Sequence, residues 1–429
     1  MNRLILQIRK SEFLRHNAIF FAGSVAIGVL NYAYYPVLGR LLSPTPFGEV
    51  QTLVSLFLQL AIFLNVLGNL TVNIVTNHGD EPIARRTMFE LEKLALLISL
   101  IGLVVAVLAA PLLQRFFNFE SFVPFIILAL AIVVSVPSTF RSSYLRGKKY
   151  FGLTALAGLV AAASKLLFSA ILIWMGFGTV GAIVGLVLAQ LTSFAYAAVK
   201  ARQLGFDQSL GRGLFKKPDF SLIIPELRYA GLVLFCSLTV TALYSIDIIA
   251  VKHYFDAHTA GLYAGISTVA RIIFFLTASI AQVLLPSVKI SNPDGQNQAV
   301  LRKSIYLTLA IGGAALLAFW LMPTFIINLL MGEQYDEYAS LLPRLGLVLF
   351  IASILNLMLL YFMALRQYAI AFIAAAGLAI TCGLVVANHG SLLAVVNSML
   401  YGALALAALL AGWMVVVKFK INRSVGINP

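Results

Sequence analysis

Charged residues divide the chain into long uncharged stretches. Runs without Asp, Glu, Lys or Arg fall at 50–79, 94–114, 121–140, 166–199, 304–332, 345–365 and 367–417. A bilayer-spanning helix needs about 20 apolar residues. The 51-residue run 367–417 therefore holds two spans, divided by the turn-forming cluster Asn388-His389-Gly390-Ser391. The run 166–199 divides in the same way at Gly176-Phe177-Gly178. Membrane barrel strands would show alternating segments of about ten residues, and these runs are too long and continuous for that. The pattern predicts helices near 17–39, 48–76, 89–114, 121–141, 149–174, 178–200, 226–252, 257–289, 303–330, 339–364, 367–387 and 391–417. The total is twelve, and an even number returns the C-terminus to the side of the N-terminus.

Composition fixes the class. The chain has 30 Lys or Arg and 16 Asp or Glu, so 11% is charged and 61% hydrophobic, against about 25% charged in an ordinary soluble domain. So few charges cannot cover a water-soluble surface of this size. That excludes a soluble enzyme, a nucleic-acid-binding domain and a disordered chain, and leaves an all-α polytopic membrane protein. The net charge of +14 is explained by where the cations fall. Twenty-two of them lie at the termini and in the even-numbered connections, from Arg3, Arg9, Lys10 and Arg15 to Lys418, Lys420 and Arg423. The opposite side carries only Arg40, Arg115, Lys252 and Arg344. By the positive-inside rule both termini are expected in the cytoplasm, and no nucleic-acid partner is needed. The apolar run after Arg15 is too long for a cleavable signal and ends in Tyr34-Tyr35-Pro36. Cys236 and Cys382 sit inside apolar spans and read as small hydrophobes. The five His residues have no ligand spacing, so no metal site or cofactor is expected.

The chain also repeats itself. A shift of 213 positions brings Leu14-Arg15-His16 under Leu227-Arg228-Tyr229, and the turn 42–48 under Phe255-Asp256-Ala257-His258-Thr259-Ala260-Gly261. A looser match pairs Tyr144-Leu145-Arg146-Gly147 with Met363-Ala364-Leu365-Arg366. This predicts a six-helix lobe at 1–200, a cytoplasmic connection at 201–219 and a second six-helix lobe at 220–429. Six helices return the chain to its starting side, so the lobes are parallel repeats about an axis along the membrane normal. Folds of that kind place a substrate site between lobes that rock, which points to a transporter.

The residues Leu38-Gly39-Arg40-Leu41-Leu42-Ser43-Pro44-x-x-Phe47-Gly48 resemble the opening motif of the polysaccharide and oligosaccharide-lipid flippases. These belong to the multidrug/oligosaccharidyl-lipid/polysaccharide exporter superfamily. Asp247-Ile248-Ile249 with Ala260-Gly261-Leu262-Tyr263, and the turn Leu145-Arg146-Gly147, resemble further stretches of the same family. The resemblance implies movement of an undecaprenyl-diphosphate-linked oligosaccharide from the inner to the outer leaflet of a bacterial or archaeal plasma membrane. The expected partners are that anionic lipid-linked glycan, membrane lipids and glycan biosynthesis enzymes, for a carrier acting as a monomer.

Charges within spans are costly and usually face a cavity. Lys165 lies about 14 Å from the outer end of the fifth span, Asp247 about 8 Å from that of the seventh, and Arg271 roughly 21 Å into the eighth. Arg271 and Lys165 are candidate ligands for a diphosphate. Asp247 is the candidate for coupling to Na⁺ or H⁺. An internal ion pair fixing lobe packing is the alternative for all three. On the second span Gln51, Ser55, Gln59, Asn65, Asn69 and Asn73 fall within an arc of about 120°. Ser267, Arg271 and Gln282 share a face of the eighth, the counterpart of the second in the repeat. Gln59, Asn65, Asn69, Asn73, Ser267 and Gln282 are thus expected to line a hydrated cavity, against the alternative of interhelical hydrogen bonding. Arg40 and Glu49 are expected as interfacial anchors, and Pro36, Pro137 and Pro286 as kinks.

Two other functions fit less well. An ion-coupled multidrug exporter would carry acidic residues in the spans of its first lobe, where this chain has Lys165 and amides; a peptidoglycan-precursor flippase is a closer variant. A membrane glycan polymerase or ligase needs catalytic groups on a sizeable external loop, and the outer connections here are short, with Asp336-Glu337 as their only paired carboxylates. No G-x-x-x-x-G-K-[ST] loop is present to use ATP.

Overall fold

The computed structural model describes residues 12–77, 81–204, 206, 224–288 and 294–424, and every regular element among them is a helix. The chain divides into two compact units, Met1–Ala230 and Gly231–Pro429. Of the predicted connection 201–219, residues 201–204 and Phe206 are described and the rest lies outside the described residues.

The first unit carries α1 (Glu12–Leu41), α2 (Pro44–Asn77), α3 (Glu81–Phe116), α4 (Val123–Gly147), α5 (Phe151–Leu172) and α6 (Gly178–Gln203). Pro44 opens α2 at a position where its missing N–H costs nothing. Between α5 and α6 the chain turns through Ile173–Phe177, where Gly176 has φ +91° and Gly178 φ +48°. Glycine reaches that left-handed region without steric cost, so the break legible at Gly176-Phe177-Gly178 becomes a hairpin. Ser169 Oγ donates to the Ala182 carbonyl at 3.0 Å and Ser193 Oγ to that of Ala157 at 3.4 Å. A Cβ on Gly185 would strike Ser169, so small residues let the two backbones meet, as between membrane helices generally. α1 and α5 run in one direction: Gly23 meets Ala155, Ile27 meets Gly158, and Asn31 bonds Lys165.

The second unit follows α7 (Ile224–Leu243), within which the division between units falls. It comprises α8 (Ile246–Tyr254), α9 (Ala257–Ala270), α10 (Ile272–Ser287), α11 (Asp294–Leu321), α12 (Pro323–Leu330), a 3₁₀ segment Glu333–Leu341, α13 (Leu342–Ala364), α14 (Ala369–Ala387) and α15 (Leu392–Ser424). Two spans expected to be continuous are broken. The seventh bends by 54° between α7 and α8. The ninth ends at Leu321, with Pro323 restarting the chain as α12. The eighth runs on through the α9–α10 junction at Arg271 as one stretch, Ala257–Ala281. The turn at Asn388-His389-Gly390-Ser391 falls where the sequence placed it, and Ser391 Oγ accepts from the Ala394 amide at 3.1 Å.

Among the described residues nine helical stretches are long and apolar enough to cross a membrane, and the bent α7–α8 pair makes a tenth. One of the nine, Phe151–Gln203, is the α5–α6 hairpin. Burial follows the same order in both units. The most apolar window of α2 is 56% buried and that of α3 only 11%; for α9–α10 and α11 the values are 72% and 17%. In each unit the second span is thus interior. The third turns its leucines, isoleucines and valines outward, as a lipid-facing helix does.

Candidate functional site

A buried polar cluster of the second unit forms beside the bend between α7 and α8. Asp247 lies in the first turn of α8, just past the bend, where the helix N-terminus favours a carboxylate. Tyr263, Ser267 and Arg271 are spaced four apart along α9 and so stand on one face. Tyr263 Oη donates to Asp247 Oδ2 at 3.1 Å, Ser267 Oγ donates to the same oxygen, and Arg271 Nη2 reaches Asp247 Oδ1 at 3.4 Å. Asp247 is 2% exposed and Arg271 1%. Arg271 is the C-cap of α9 and the N-cap of α10, and its Nε has no hydrogen-bond partner among the described residues. The carboxylate is thus well satisfied and the guanidinium under-used. Of the alternatives left open by sequence, Asp247 and Arg271 pair with each other. The Gln282 side chain lies outside the described residues. Sequence reading missed Tyr263 as a ligand of Asp247, although its four-residue spacing from Ser267 carried the signal.

The polar face of α2 is divided along its length. Gln51 and Ser55 are fully buried, Gln59 is half-buried, and Asn65, Asn69 and Asn73 are exposed. Asn69 Oδ1 accepts from Arg146 Nη2 at 2.8 Å. Neither amide atom of Gln51 nor the Ser55 hydroxyl has a hydrogen-bond partner among the described residues, an arrangement that costs about 1–3 kcal/mol per group without water or a ligand.

Lys165 Nζ donates to Asn31 Oδ1 at 2.7 Å and stands 4.4 Å over the Tyr34 ring. Among the described residues it pairs with no carboxylate. Glu49, expected as an interfacial anchor, is instead buried and accepts from Thr179 Oγ1 at 2.7 Å. Arg141, which closes the apolar run 121–140, is with Arg271 the largest of the fully buried side chains among the described residues, and its Nη1 bonds Glu92 Oε2 at 2.8 Å. Its signal in sequence was weak, because a cation closing an apolar run reads as a membrane boundary. Cys236 and Cys382 are free thiols. Among the described residues no three His, Cys, Asp or Glu come together as a metal site.

Among the described residues, two units of membrane-length helices with outward apolar faces define a polytopic helical membrane protein. An inward-facing multidrug resistance MATE transporter of the MOP superfamily is similar over 92% of this chain and 95% of its own, at 15% identity and a TM-score of 0.67. The lipid II flippase MurJ in an inward closed conformation is similar over 91% and 86%, at 14% identity and 0.66. The MATE multidrug transporter DinF-BH gives 92%, 95%, 15% and 0.63. At such identities the likeness is one of fold. No curated protein matches the sequence. The chain belongs to the polysaccharide biosynthesis protein family, whose pattern matches residues 14–289.

Proposed function

We propose that the protein moves an anionic, diphosphate-linked glycan lipid from the cytoplasmic to the outer leaflet by alternating access. Membership of the polysaccharide biosynthesis family supports a glycan cargo, and the fold shared with a lipid II flippase supports lipid translocation. The observation that carries the reading is Arg271, a fully buried guanidinium whose Nε donor is unused among the described residues. A diphosphate offers the forked acceptor that arginine matches and lysine does not. In the empty carrier Asp247 stands in for the phosphate as counter-ion. Substrate displaces it, and the freed carboxylate is the group available to H⁺ or Na⁺. Within the first unit, Lys165, which pairs with no carboxylate among the described residues, and the exposed amides Asn65, Asn69 and Asn73 are the polar groups suited to anion and sugar.

A multidrug exporter is the second reading, favoured by the fold likeness to MATE transporters. The two separate in vesicles containing the purified protein. Accelerated appearance of a fluorescent diphosphate-linked glycan lipid in the far leaflet supports the flippase. Uptake of cationic dyes without lipid movement overturns it.

A further inference from the structure

The exposed positions of α2 form a polar stripe. From Ala61 to Thr76 the exposed residues are Asn65, Asn69, Asn73 and Thr76, while the apolar residues between them are buried or half-buried. Spacings of four, four and three put them on one face. Asn65 lies twelve residues, about 18 Å, from the end of α2 at Asn77, well within a hydrocarbon layer of about 30 Å. Amides at that depth are costly against lipid and mark a water-filled crevice.

Helix α4 sets a cation over this stripe. A Cβ on Gly147 would fall 2.7 Å from the Val75 side chain, and one on Gly68 would strike Ser143 and Thr139. Thr76 Oγ1 donates to the Gly147 carbonyl at 3.2 Å. These close approaches lock the two helices together and fix Arg146, beside Gly147, over the stripe. Its Nη2 donates to Asn69 Oδ1 at 2.8 Å, at an exposed position. A guanidinium has five N–H donors, and Asn69 takes one of them. Among the described residues Arg146 meets no carboxylate. No Asp or Glu follows Glu49 on α2, and α4 carries none. On α3, Glu90 pairs with Lys93 and Glu92 with Arg141. Asp80 and Glu81, whose side chains lie outside the described residues, come after the end of α2, which is eight residues and about 12 Å of helix beyond Asn69. The dipole of α4 favours a cation in its last turn. That accounts for the charge but not for its contact with an exposed amide. Arg271 is 1% exposed, so an anion arriving through water meets Arg146 first.

We propose that Arg146 and Asn69 form a docking site for the diphosphate of the lipid-linked substrate, occupied before Arg271. This site rests on the transport reading of the protein and adds a second, accessible phosphate contact to it. The probe is a fluorescent polyprenyl diphosphate, titrated into the purified full-length protein in detergent. Movement of the diphosphate-linked glycan lipid is measured separately in vesicles. Arg146→Gln, which keeps a donor for Asn69, should bind the probe about tenfold more weakly, the loss expected for one charge-assisted hydrogen bond. Arg146→Lys should recover part of that affinity. Asn69→Asp tests the geometry, because its carboxylate would hold the guanidinium in place of the substrate. Its melting temperature should hold or rise while binding weakens as far as in Arg146→Gln. An arginine that only supports the fold predicts unchanged binding in both variants, and that result would overturn the site. Displacement of the probe by equimolar phosphatidylglycerol would overturn the assignment to substrate, with bulk anionic lipid as the occupant. A wild-type protein that moves no such lipid in vesicles overturns the transport reading and the docking site with it. Wild-type binding by Arg146→Gln, in a protein that does move lipid, overturns the docking site alone.

Discussion

Arg271 and Asp247 meet at 3.4 Å, Asp247 just past the 54° bend of its span and Arg271 at the junction of α9 and α10 within the continuous stretch Ala257–Ala281. The pairing means that Arg271→Ala alone does not separate a binding role from a structural one. Removing one member of a buried pair costs about 3–5 kcal/mol by stranding the other. The neutral pair Asp247→Asn/Arg271→Met removes both charges together. It should recover most of the thermal stability lost by Arg271→Ala yet move no lipid. Arg271→Lys should keep partial activity. Wild-type lipid movement by the neutral pair would take Arg271 out of the substrate site.

Asp247→Asn separates coupling from fold. The amide oxygen has two acceptor sites, enough for Tyr263 and Ser267. Arg271 loses its counter-ion at a cost of about 3–5 kcal/mol, so thermal melting is measured first and transport is read on folded protein. Lipid movement in vesicles with an imposed Na⁺ or H⁺ gradient should lose its gradient dependence. A variant that keeps it withdraws Asp247 from coupling.

Topology is tested independently of activity. With Cys236 and Cys382 replaced by Ala, Ser43→Cys should label from outside with an impermeant thiol reagent. Ser209→Cys should label only after the membrane is opened. Labelling of both in intact cells contradicts the twelve-span topology.

Asp256 supplies a pH dependence outside the membrane. It caps α9, its Oδ1 accepting from the His258 and Thr259 amides at 3.0 Å each. The Thr259 hydroxyl, then these amides, hold its carboxyl below the usual carboxylate range. A folded-state pKa depressed in this way stabilises above the unfolded value and is lost as pH falls through the folded one. Asp256→Ala should therefore cost about 1 kcal/mol at neutral pH, and the difference should shrink in strong acid. Asp256→Asn keeps a cap that does not titrate. Its melting temperature should lack the wild-type fall at this site below about pH 4.

Local signals were legible in the sequence and tertiary ones were not. Gly176 and Gly178 announced the α5–α6 turn because positive φ is a local demand of the backbone. The four-residue spacing of Ser267 and Arg271 announced a shared polar face. The bend at Tyr244–Ser245 has no proline or glycine to mark it, and Asp247 meets Arg271 only because that bend turns α8 toward α9. Arg141 was hidden for a related reason. Its partner Glu92 is 49 residues away, and the Phe206 ring that covers it comes from the connection after α6.

Lys165 gives the last prediction. Its ammonium is held by one amide oxygen and the face of Tyr34, without a carboxylate to neutralise it. As packing alone this is unfavourable: a cation–π contact contributes about 0.5–2 kcal/mol, while an ammonium leaving water loses several. Under the proposed function an anionic ligand offsets that cost. Lys165→Met preserves the long stem and removes the charge, so stability should hold or rise while the substrate concentration for half-maximal lipid movement increases at least about tenfold. Lys165→Arg should retain most of the activity. A fall in melting temperature with unchanged lipid movement in Lys165→Met would assign the residue to packing instead.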